Sequence, residues 1–312
     1  MVYIVDLADS ILSGDRRALA RGISVAETGG AVARELLSAI YTRTGRAHII
    51  GVTGAPGSGK STLVNALALH WRRAGKTIGI IAVDPTSPFT GGAILGDRIR
   101  MQPLSGDPGI FVRSMASRGR LGGIARATGD AIDLLDAAGF DMVIVETVGA
   151  GQGEVEIASA AHTTVVIDVP GMGDDVQAIK AGILEIADLF VVNKADREGA
   201  DMTIRQLRAM LHLGGPPRDG WEPPILAAVA MRAEGVAEIG AAIERHMAHL
   251  RSGGRIAEYE RVRAAREFQL IVQETALEQA RARVADKGWD ALVGRIARRE
   301  IDPYTAAAEL FA

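Results

Sequence analysis

The sequence predicts an α/β fold in which a doubly wound, mostly parallel sheet is flanked by helices. Three observations lead to this prediction. Short β-branched apolar runs alternate with longer helical stretches through the middle of the chain, which is typical of βαβ units. A glycine-rich segment separates the first run from the next helical stretch. Towards both ends of the chain, apolar residues recur at helical spacing instead.

The first 45 residues carry the helical pattern. Apolar side chains recur there mostly at three- and four-residue steps from residue 2 to residue 43. Gly14 and the pair Gly29 and Gly30 interrupt the pattern and divide it into about three helices. Residues 1–45 are therefore predicted to form a helical N-terminal extension.

Seven short apolar runs predict the strands of the sheet. They cover residues 48–53, 77–83, 110–114, 142–146, 163–169, 189–193 and 224–230. Because helical stretches separate them, they predict one doubly wound domain over residues 46–250.

The strand pattern stops at about residue 251, and Ala/Arg/Glu-rich helices are predicted from about 256 to 311. The many arginines there suggest an RNA-binding arm as one alternative. Glutamates alternate with them, however, which favours helices with a solvated charged face. Residues 251–312 are predicted to be a helical C-terminal extension.

Composition excludes several classes of protein. The chain of 312 residues is 48% hydrophobic and 23% charged, unlike a disordered or collagen-like chain. It has no cysteine, which excludes disulfides, iron–sulfur clusters and thiol catalysis. Its formal net charge of −3 is unlike that of a nucleic-acid wrapper. Neither a secretory signal nor a membrane span is recognisable, so we expect a cytoplasmic protein without nucleic-acid or membrane partners.

The most specific motif follows the first predicted strand. Residues 54–61 read GAPGSGKS, a complete GxxxxGK[ST] pattern between a strand and a helix, which predicts a P-loop NTPase. Its backbone N–H groups and the helix N-terminus would surround phosphate oxygens. Lys60 would reach the β- and γ-phosphates, and the Ser61 hydroxyl would bind Mg²⁺. The predicted nucleotide contacts in this segment are Gly54, Ala55, Pro56, Gly57, Ser58, Gly59, Lys60, Ser61 and Thr62.

A second motif predicts the base. Asn193, Lys194 and Asp196 belong to the sequence NKAD at the end of the sixth predicted strand. The Asp196 carboxylate can accept from both N1–H and N2–H₂ of guanine, a pairing that adenine cannot make. Lys194 would lie along the base plane and Asn193 would hold the loop. The combination with the P-loop predicts GTP rather than ATP.

After the last predicted strand, many G-proteins carry a Ser-Ala-Lys-like loop that contacts guanine. This sequence has Val229, Ala230 and Met231 at that place. The backbone N–H of Ala230 or Met231 could still meet guanine O6, although the usual side-chain support is missing.

The fourth predicted strand ends in Glu146, the place of the Walker B acid, which would hold Mg²⁺ directly or through water. Gly149 would let the backbone approach a γ-phosphate. Ala150 follows where many small GTPases carry a water-orienting Gln, and Gln152 is the nearest substitute. We therefore expect slow intrinsic hydrolysis. The GxGxG spacing of residues 149–153 differs from the GxGxxG dinucleotide fingerprint.

Two further segments are candidate switches. Asp84 and Asp97 bracket a Gly/Thr-rich loop after the second predicted strand. A turn or helix cap is the alternative for Asp84, but two acids favour a loop that closes around Mg²⁺ and the γ-phosphate. Residues 170–175 and Lys180 follow the fifth predicted strand, where a simple turn and a solvated lysine remain alternatives.

Taken together, these segments resemble the MeaB/ArgK/MMAA group of P-loop GTPases. The resemblance is carried by GAPGSGKSTL, AVDPTSPFTGGAILGDRIRM, VIVETVGAGQGE, VPGMGDDVQAIKAGILEIAD and NKAD, and it covers nearly the whole chain. It implies that Asp84, Asp97 and Glu146 are the Mg²⁺ and switch acids. It also implies a third switch at residues 170–175 and a role for Lys180 in partner-stimulated hydrolysis.

The same resemblance implies a G-protein chaperone of an adenosylcobalamin-dependent acyl-CoA mutase. Such a protein uses GTP, GDP and Mg²⁺, forms a homodimer through its C-terminal helices, and gates cobalamin transfer from an adenosyltransferase while protecting the mutase. Two other functions are weighed: a kinase of a small molecule or transport protein, and a metal-insertion GTPase for hydrogenase or urease. The motifs do not distinguish a methylmalonyl-CoA, isobutyryl-CoA or 2-hydroxyisobutyryl-CoA mutase as the partner.

Overall fold

The structure is a computed structural model of the chain. It describes residues 2–85, 104, 106–117, 123–147, 159–171, 185–213 and 220–311.

The strands within these ranges are β1 (His48–Gly54), β2 (Ile78–Pro85), β3 (Ile110–Ser117), β4 (Met142–Thr147), β5 (Thr163–Asp168), β6 (Leu189–Asn193) and β7 (Ile225–Ala228). The helices are α1 (Val2–Leu12), α2 (Arg16–Thr28), α3 (Gly30–Ile40), α4 (Lys60–Arg73), α5 (Gly123–Ala137), α6 (Ala200–Leu213), α7 (Val236–Ser252), α8 (Arg255–Ala297) and α9 (Pro303–Phe311). Short 3₁₀ helices cover Tyr41–Arg43 and Ala230–Arg232.

All seven strands form one parallel sheet in the order β3-β2-β4-β1-β5-β6-β7. The predicted α/β fold is confirmed, and the sheet is parallel throughout the described strands rather than mostly parallel. β2, β3 and β4 lie on one side of β1 and β5, β6 and β7 on the other, so β1 lies at the point where the strand order reverses. In sheets of this kind the crevice at the carboxyl ends of such strands is where ligands bind.

Helices cover both faces of the sheet, as its near-continuous apolar strands require. Neighbouring residues of β1 show this, because Ile49 packs with the helices of one face and Ile50 with those of the other. The first face is covered by α5 and by the N-terminal helices α1 to α3, whose apolar residues share one core with the sheet. The second face is covered by α4 and α7.

A buried carboxylate fixes the entry of the chain into β1. Asp136, near the end of α5, accepts the backbone N–H groups of Gly45, Arg46 and Ala47 at 2.5 to 3.2 Å. Charge-assisted bonds of this kind are roughly twice as strong as neutral ones. The carboxylate therefore joins the end of the N-terminal helices to the first strand of the sheet.

The chain divides into two compact units, residues 1–259 and 260–312, and α8 runs from the first into the second. In the second unit Ala280 and Ala306 are buried, and Arg295 on α8 donates to Glu309 on α9 at 2.8 Å. No helix of the described residues is both long and apolar enough to cross a membrane.

Two buried histidines stabilise the amino edge of the sheet, opposite the ligand crevice. The Thr163 hydroxyl lies 2.8 Å from Nε2 of His48 and 2.9 Å from Nδ1 of His246, so it links the first residues of β1 and β5 to α7. Nε2 of His246 is 3.4 Å from Oδ1 of Asp188. Burial nevertheless outweighs this carboxylate and lowers the pKa of His246 to about 4, and it lowers the pKa of His48 to about 3.

These pKa values predict that the chain loses stability as the pH falls below about 6.5. Both imidazoles are neutral in the folded state, whereas in the unfolded chain they bind protons below their ordinary pKa of 6.5. The free energy of unfolding should therefore decrease between about pH 6.5 and pH 4, by up to ~1.4 kcal/mol per pH unit for each histidine. Urea unfolding at a series of pH values measures this slope.

The variant His246→Gln should show a shallower slope, because one of the two groups is gone. His212→Gln, which changes an exposed histidine, is the matched control and should keep the slope of the unaltered chain. An equal slope in the unaltered chain and in His246→Gln would contradict the prediction.

Candidate functional site

The glycine-rich loop between β1 and α4 needs glycine at two places for steric reasons. Gly54 has φ 143°, and a Cβ there would lie 2.2 Å from the Ile167 carbonyl oxygen of neighbouring β5. Gly59 has φ 90°, and a Cβ there would lie 2.4 Å from the Asn193 side-chain nitrogen. Since L side chains rarely adopt these backbone angles, only glycine allows the loop to turn this tightly. The remaining glycine, Gly57, also has positive φ but faces open space.

Lys60 is the first residue of α4, and its side chain folds back into this loop. Its side chain is buried, and its ammonium group donates to the carbonyl oxygens of Gly54 at 2.9 Å and Ala55 at 3.1 Å. A buried ammonium group held by the loop places positive charge beside the N-terminus of α4, where the helix dipole adds to it. The arrangement is suited to an anion such as a phosphate chain.

A hydroxyl and a carboxylate meet beside the loop. The Ser61 hydroxyl in the first turn of α4 donates to Oε1 of Glu146 at 2.6 Å, and both residues are buried. Glu146 reaches this place because it pairs with Val52 in the β1–β4 register. Both groups offer the hard oxygen atoms that Mg²⁺ prefers. Next to them the Thr147 hydroxyl donates to that of Thr53 at 3.0 Å.

Asn193, the last residue of β6, joins the loop to the end of β7. Its amide nitrogen donates to the Ser58 carbonyl at 2.8 Å, and its amide oxygen accepts from the Ala230 N–H at 3.1 Å. All three residues are buried. One side chain therefore sets the separation between the glycine-rich loop and the loop that follows β7.

The two charged residues of the NKAD segment lie on the exposed side of this junction. Lys194 has φ 56°, and its ammonium group donates to the Gly57 carbonyl at 2.7 Å. The Asp196 carboxylate accepts from Nη1 of Arg232 at 3.2 Å. Both residues of the predicted guanine site therefore lie at this junction. The structure adds Arg232, which sequence reasoning missed because no motif includes that position.

The loop after β7 contains the remaining residues predicted at the base. The Val229 N–H bonds to the Glu234 carbonyl at 3.1 Å, Ala230 is buried by its contact with Asn193, and Met231 is 89% exposed. Thr62 lies in the first turn of α4 and is partly buried.

Several predicted residues lie outside the described part of the chain, namely Asp97, Gly149, Ala150, Gln152, residues 172–175, Lys180, and the side chain of Asp84. The backbone of Asp84 is described, and it pairs with Ala116 of β3. Two residues earlier in β2, Ala82 pairs with Glu146 of β4. Asp84 therefore belongs to the same carboxyl edge of the sheet as Glu146. Pro170 and Gly171 follow β5 at this edge.

No group of three or more His, Asp or Glu side chains that could hold a metal ion occurs among the described residues.

The parallel sheet, the glycine-rich loop with its buried lysine and the NKAD segment beside it define a P-loop GTPase. The profile of the family described as "Methylmalonyl Co-A mutase-associated GTPase MeaB" matches residues 19–285, and the chain belongs to this family. The expectation drawn from the motifs is thereby confirmed.

The relatives agree with this assignment. A putative GTPase of Pyrococcus horikoshii is 48% identical over 98% of this chain and 97% of its own length. The protein named "Methylmalonic aciduria type A homolog, mitochondrial" of Caenorhabditis elegans is 36% identical over 75% of this chain and 63% of its own. A crystal structure described as "LAO/AO transport system kinase" has a TM-score of 0.74 at 26% identity and covers 99% of this chain and 97% of that one.

The position of Asn193 predicts a combined loss of stability and nucleotide affinity on substitution. Asn193→Ala leaves the Ser58 carbonyl and the Ala230 N–H without their partner, and buried polar groups of this kind cost about 1–3 kcal/mol each. We expect a lower free energy of unfolding in urea and weaker binding of GDP in titration calorimetry. Gln206→Ala, at an exposed position of α6, is the control. Unchanged GDP affinity in Asn193→Ala would contradict the prediction.

Proposed function

We propose that this GTPase is a chaperone of an adenosylcobalamin-dependent acyl-CoA mutase, for which it gates cofactor loading and protects or reactivates the enzyme. The family profile is described by its association with methylmalonyl-CoA mutase, and one relative is named for methylmalonic aciduria, which supports the proposal. The cobalamin would come from an adenosyltransferase that acts as a further partner.

The observation that carries the proposal is the shared edge of the sheet. The phosphate loop, the Ser61–Glu146 pair and the ends of β2 and β5 all lie at this edge. The segments after β2 and β5 are the two candidate switches. Contacts of a γ-phosphate with such segments would favour one of their conformations, and a partner protein could read that difference. Hydrolysis to GDP would remove the contacts.

We propose that Mg²⁺ accompanies the nucleotide and is held through the Ser61 hydroxyl and Glu146. The two oxygen atoms fit such an ion, because they are buried together at 2.6 Å beside the phosphate loop. When bound, Mg²⁺ neutralises charge that develops on the β- and γ-phosphate oxygens. Asp84 and Asp97 are proposed as further acids around the ion, and Lys180 as a group that acts in partner-stimulated hydrolysis.

Guanine is proposed to lie against Lys194, with its N1–H and N2–H₂ groups donating to Asp196. The Ala230 N–H already donates to Asn193 at 3.1 Å. Of the two backbone donors expected in this loop, the Met231 N–H is therefore the one we propose for guanine O6.

The alternative function is that of a kinase, and it is favoured by the similar crystal structure that is described as a transport system kinase. A kinase would pass the γ-phosphoryl group to an acceptor, whereas a GTPase passes it to water. Incubation with γ-labelled GTP and candidate acceptors separates the two functions. Label found in free phosphate alone supports the chaperone, and label on an acceptor supports the kinase.

The chaperone proposal predicts that one acyl-CoA mutase accelerates GTP hydrolysis. Without a partner we expect turnover well below ~1 s⁻¹. The cognate mutase should raise it at least about tenfold, which corresponds to ~1.4 kcal/mol of transition-state stabilisation. The measurement is phosphate release with each purified methylmalonyl-CoA, isobutyryl-CoA and 2-hydroxyisobutyryl-CoA mutase, with Mg²⁺ and with a chelator.

In the same assay Lys180→Ala should lose most of the stimulation. Lys76→Ala, which changes a lysine before β2 at the opposite edge of the sheet, is the matched control and should keep it. If none of the three mutases raises the rate or elutes together with the GTPase, the chaperone proposal fails.

We also propose that the C-terminal helices form a homodimer. Several apolar side chains on the second unit's part of α8 are exposed, including Phe268 at 68% and Val272 at 48%, which lie one turn apart on the same helix face. Contiguous exposed apolar surface of this kind is typical of an interface.

The dimer proposal predicts that charge on this face separates the two copies. Phe268→Asp combined with Val272→Asp should convert a dimer into a monomer in size-exclusion chromatography with light scattering. Gln269→Asp, which places the same charge on an exposed neighbouring position, should leave the dimer intact. A monomer in the unaltered chain at tens of micromolar would refute the proposal.

A further inference from the structure

An arginine just beyond the expected guanine loop contacts the acid of the NKAD segment. Nη1 of Arg232 donates to Oδ2 of Asp196 at 3.2 Å. Both side chains are about half exposed, 52% for Arg232 and 42% for Asp196. An isolated ion pair this exposed contributes little to stability, since solvent screens it and both side chains lose freedom. Stability alone therefore does not account for this contact between the two loops.

The guanidinium group of Arg232 is held by a second acid. Nε donates to Oε1 of Glu234 at 2.6 Å, and Nη2 donates to Oε2 at 3.2 Å. Such a two-pronged contact fixes the plane of the guanidinium as well as its position. The hydrogen bond with Glu234 raises the pKa of Arg232, and the same bond lowers the pKa of Glu234, so the pair is ionised at neutral pH. The remaining nitrogen, Nη1, donates to Asp196 from a guanidinium group that Glu234 holds in place.

The backbone of this loop is equally constrained. Ala233 has φ 56° and Gly235 has φ 77°. A Cβ atom at Gly235 would lie 2.3 Å from the Ala227 carbonyl oxygen, so the backbone leaves no space for a side chain there. The Val229 N–H closes the loop on the Glu234 carbonyl at 3.1 Å. Since Asp196 follows β6 and the loop follows its neighbour β7, the closed loop brings the guanidinium directly beside the carboxylate.

A second Arg-X-Glu segment in the chain forms the same two-pronged contact, or fork, between its arginine and its glutamate. Nε of Arg298 donates to Oε1 of Glu300 at 2.6 Å and Nη2 to Oε2 at 3.1 Å, and the residue between them, Arg299, has φ 60°. The Arg298–Glu300 fork closely resembles the Arg232–Glu234 fork in its two hydrogen-bond lengths and in the positive φ of its middle residue. Within the described residues, Glu300 is the carboxylate that pairs with Arg298. The contact with a third residue, Asp196, thus distinguishes Arg232.

We propose that Arg232 is a positioning residue for base recognition, which holds the Asp196 carboxylate in the orientation that pairs with guanine. The inference rests on the proposed guanine site. A carboxylate has about four acceptor positions, so the one bond from Arg232 leaves both oxygens able to accept from N1–H and N2–H₂. Fixing the carboxylate beforehand avoids the loss of side-chain freedom when the base binds. The arginine supplies the support that a Ser-Ala-Lys-like loop would otherwise give.

The test compares dissociation constants for GDP and for inosine diphosphate, whose base lacks the exocyclic amine. Titration calorimetry is done on the full chain and on Arg232→Ala, Arg232→Lys and Arg298→Ala. We expect Arg232→Ala to weaken GDP binding about tenfold and inosine diphosphate binding about threefold. The loss is smaller for inosine diphosphate because its base can donate only N1–H to the Asp196 carboxylate, whereas guanine donates both N1–H and N2–H₂. Arg232→Lys keeps the positive charge but cannot form the fork with Glu234, so it should recover little of the GDP affinity. Arg298→Ala should bind both nucleotides as the unaltered chain does.

Three results would overturn the proposal when thermal unfolding shows that the variants are folded: unchanged or tighter GDP binding in Arg232→Ala, an equal loss for both nucleotides, or full recovery of GDP affinity by lysine. Failure of the guanine site itself is separable, because the unaltered chain would then show no preference for GDP over ADP. That result would be seen before any variant is compared.

Discussion

The site depends on one buried amide. Asn193 lies at the end of β6, donates to the phosphate loop and accepts from the loop after β7, so three segments that are far apart in sequence keep one spacing. Gly59 has to be glycine partly because this amide occupies the space where a Cβ would lie. A rigid junction of this kind would position the groups proposed to contact the base and the phosphates before a nucleotide binds, which reduces the cost of binding.

The parallel register of the sheet supplies the rest of the geometry. It sets Glu146 opposite Val52, close enough for Ser61 at the start of α4 to reach its carboxylate. At the other edge, the histidines on either side of the Thr163 hydroxyl and the carboxylate of Asp136 stabilise the places where the chain enters β1 and β5. The amino edge is therefore held by buried structural groups, while the carboxyl edge carries the groups that can act on a ligand.

This division explains how a GTPase of this family could act as a switch. β2 and β5 end at the carboxyl edge that also carries the phosphate loop, and the base is proposed to be read on the exposed side of the Asn193 junction. In the proposed guanine site, Asp196 with its partner Arg232 would make the same contacts with the base of GTP and of GDP. Only contacts with the γ-phosphate differ between GTP and GDP, so those contacts alone can shift the state that a partner recognises.

The sequence by itself determined the fold class, the order of the elements and the identity of the phosphate and base motifs. It could do so because these depend on local periodicity and on short motifs with fixed spacing, as in the strand, loop and helix around Gly54 and Lys60. It did not determine the partners of Asn193 or the contact of Arg232. These contacts join Asn193 to Ser58, 135 positions away in sequence, and Asp196 to Arg232, 36 positions away. Only the strand order of the sheet decides that such distant segments meet, and no local pattern encodes it.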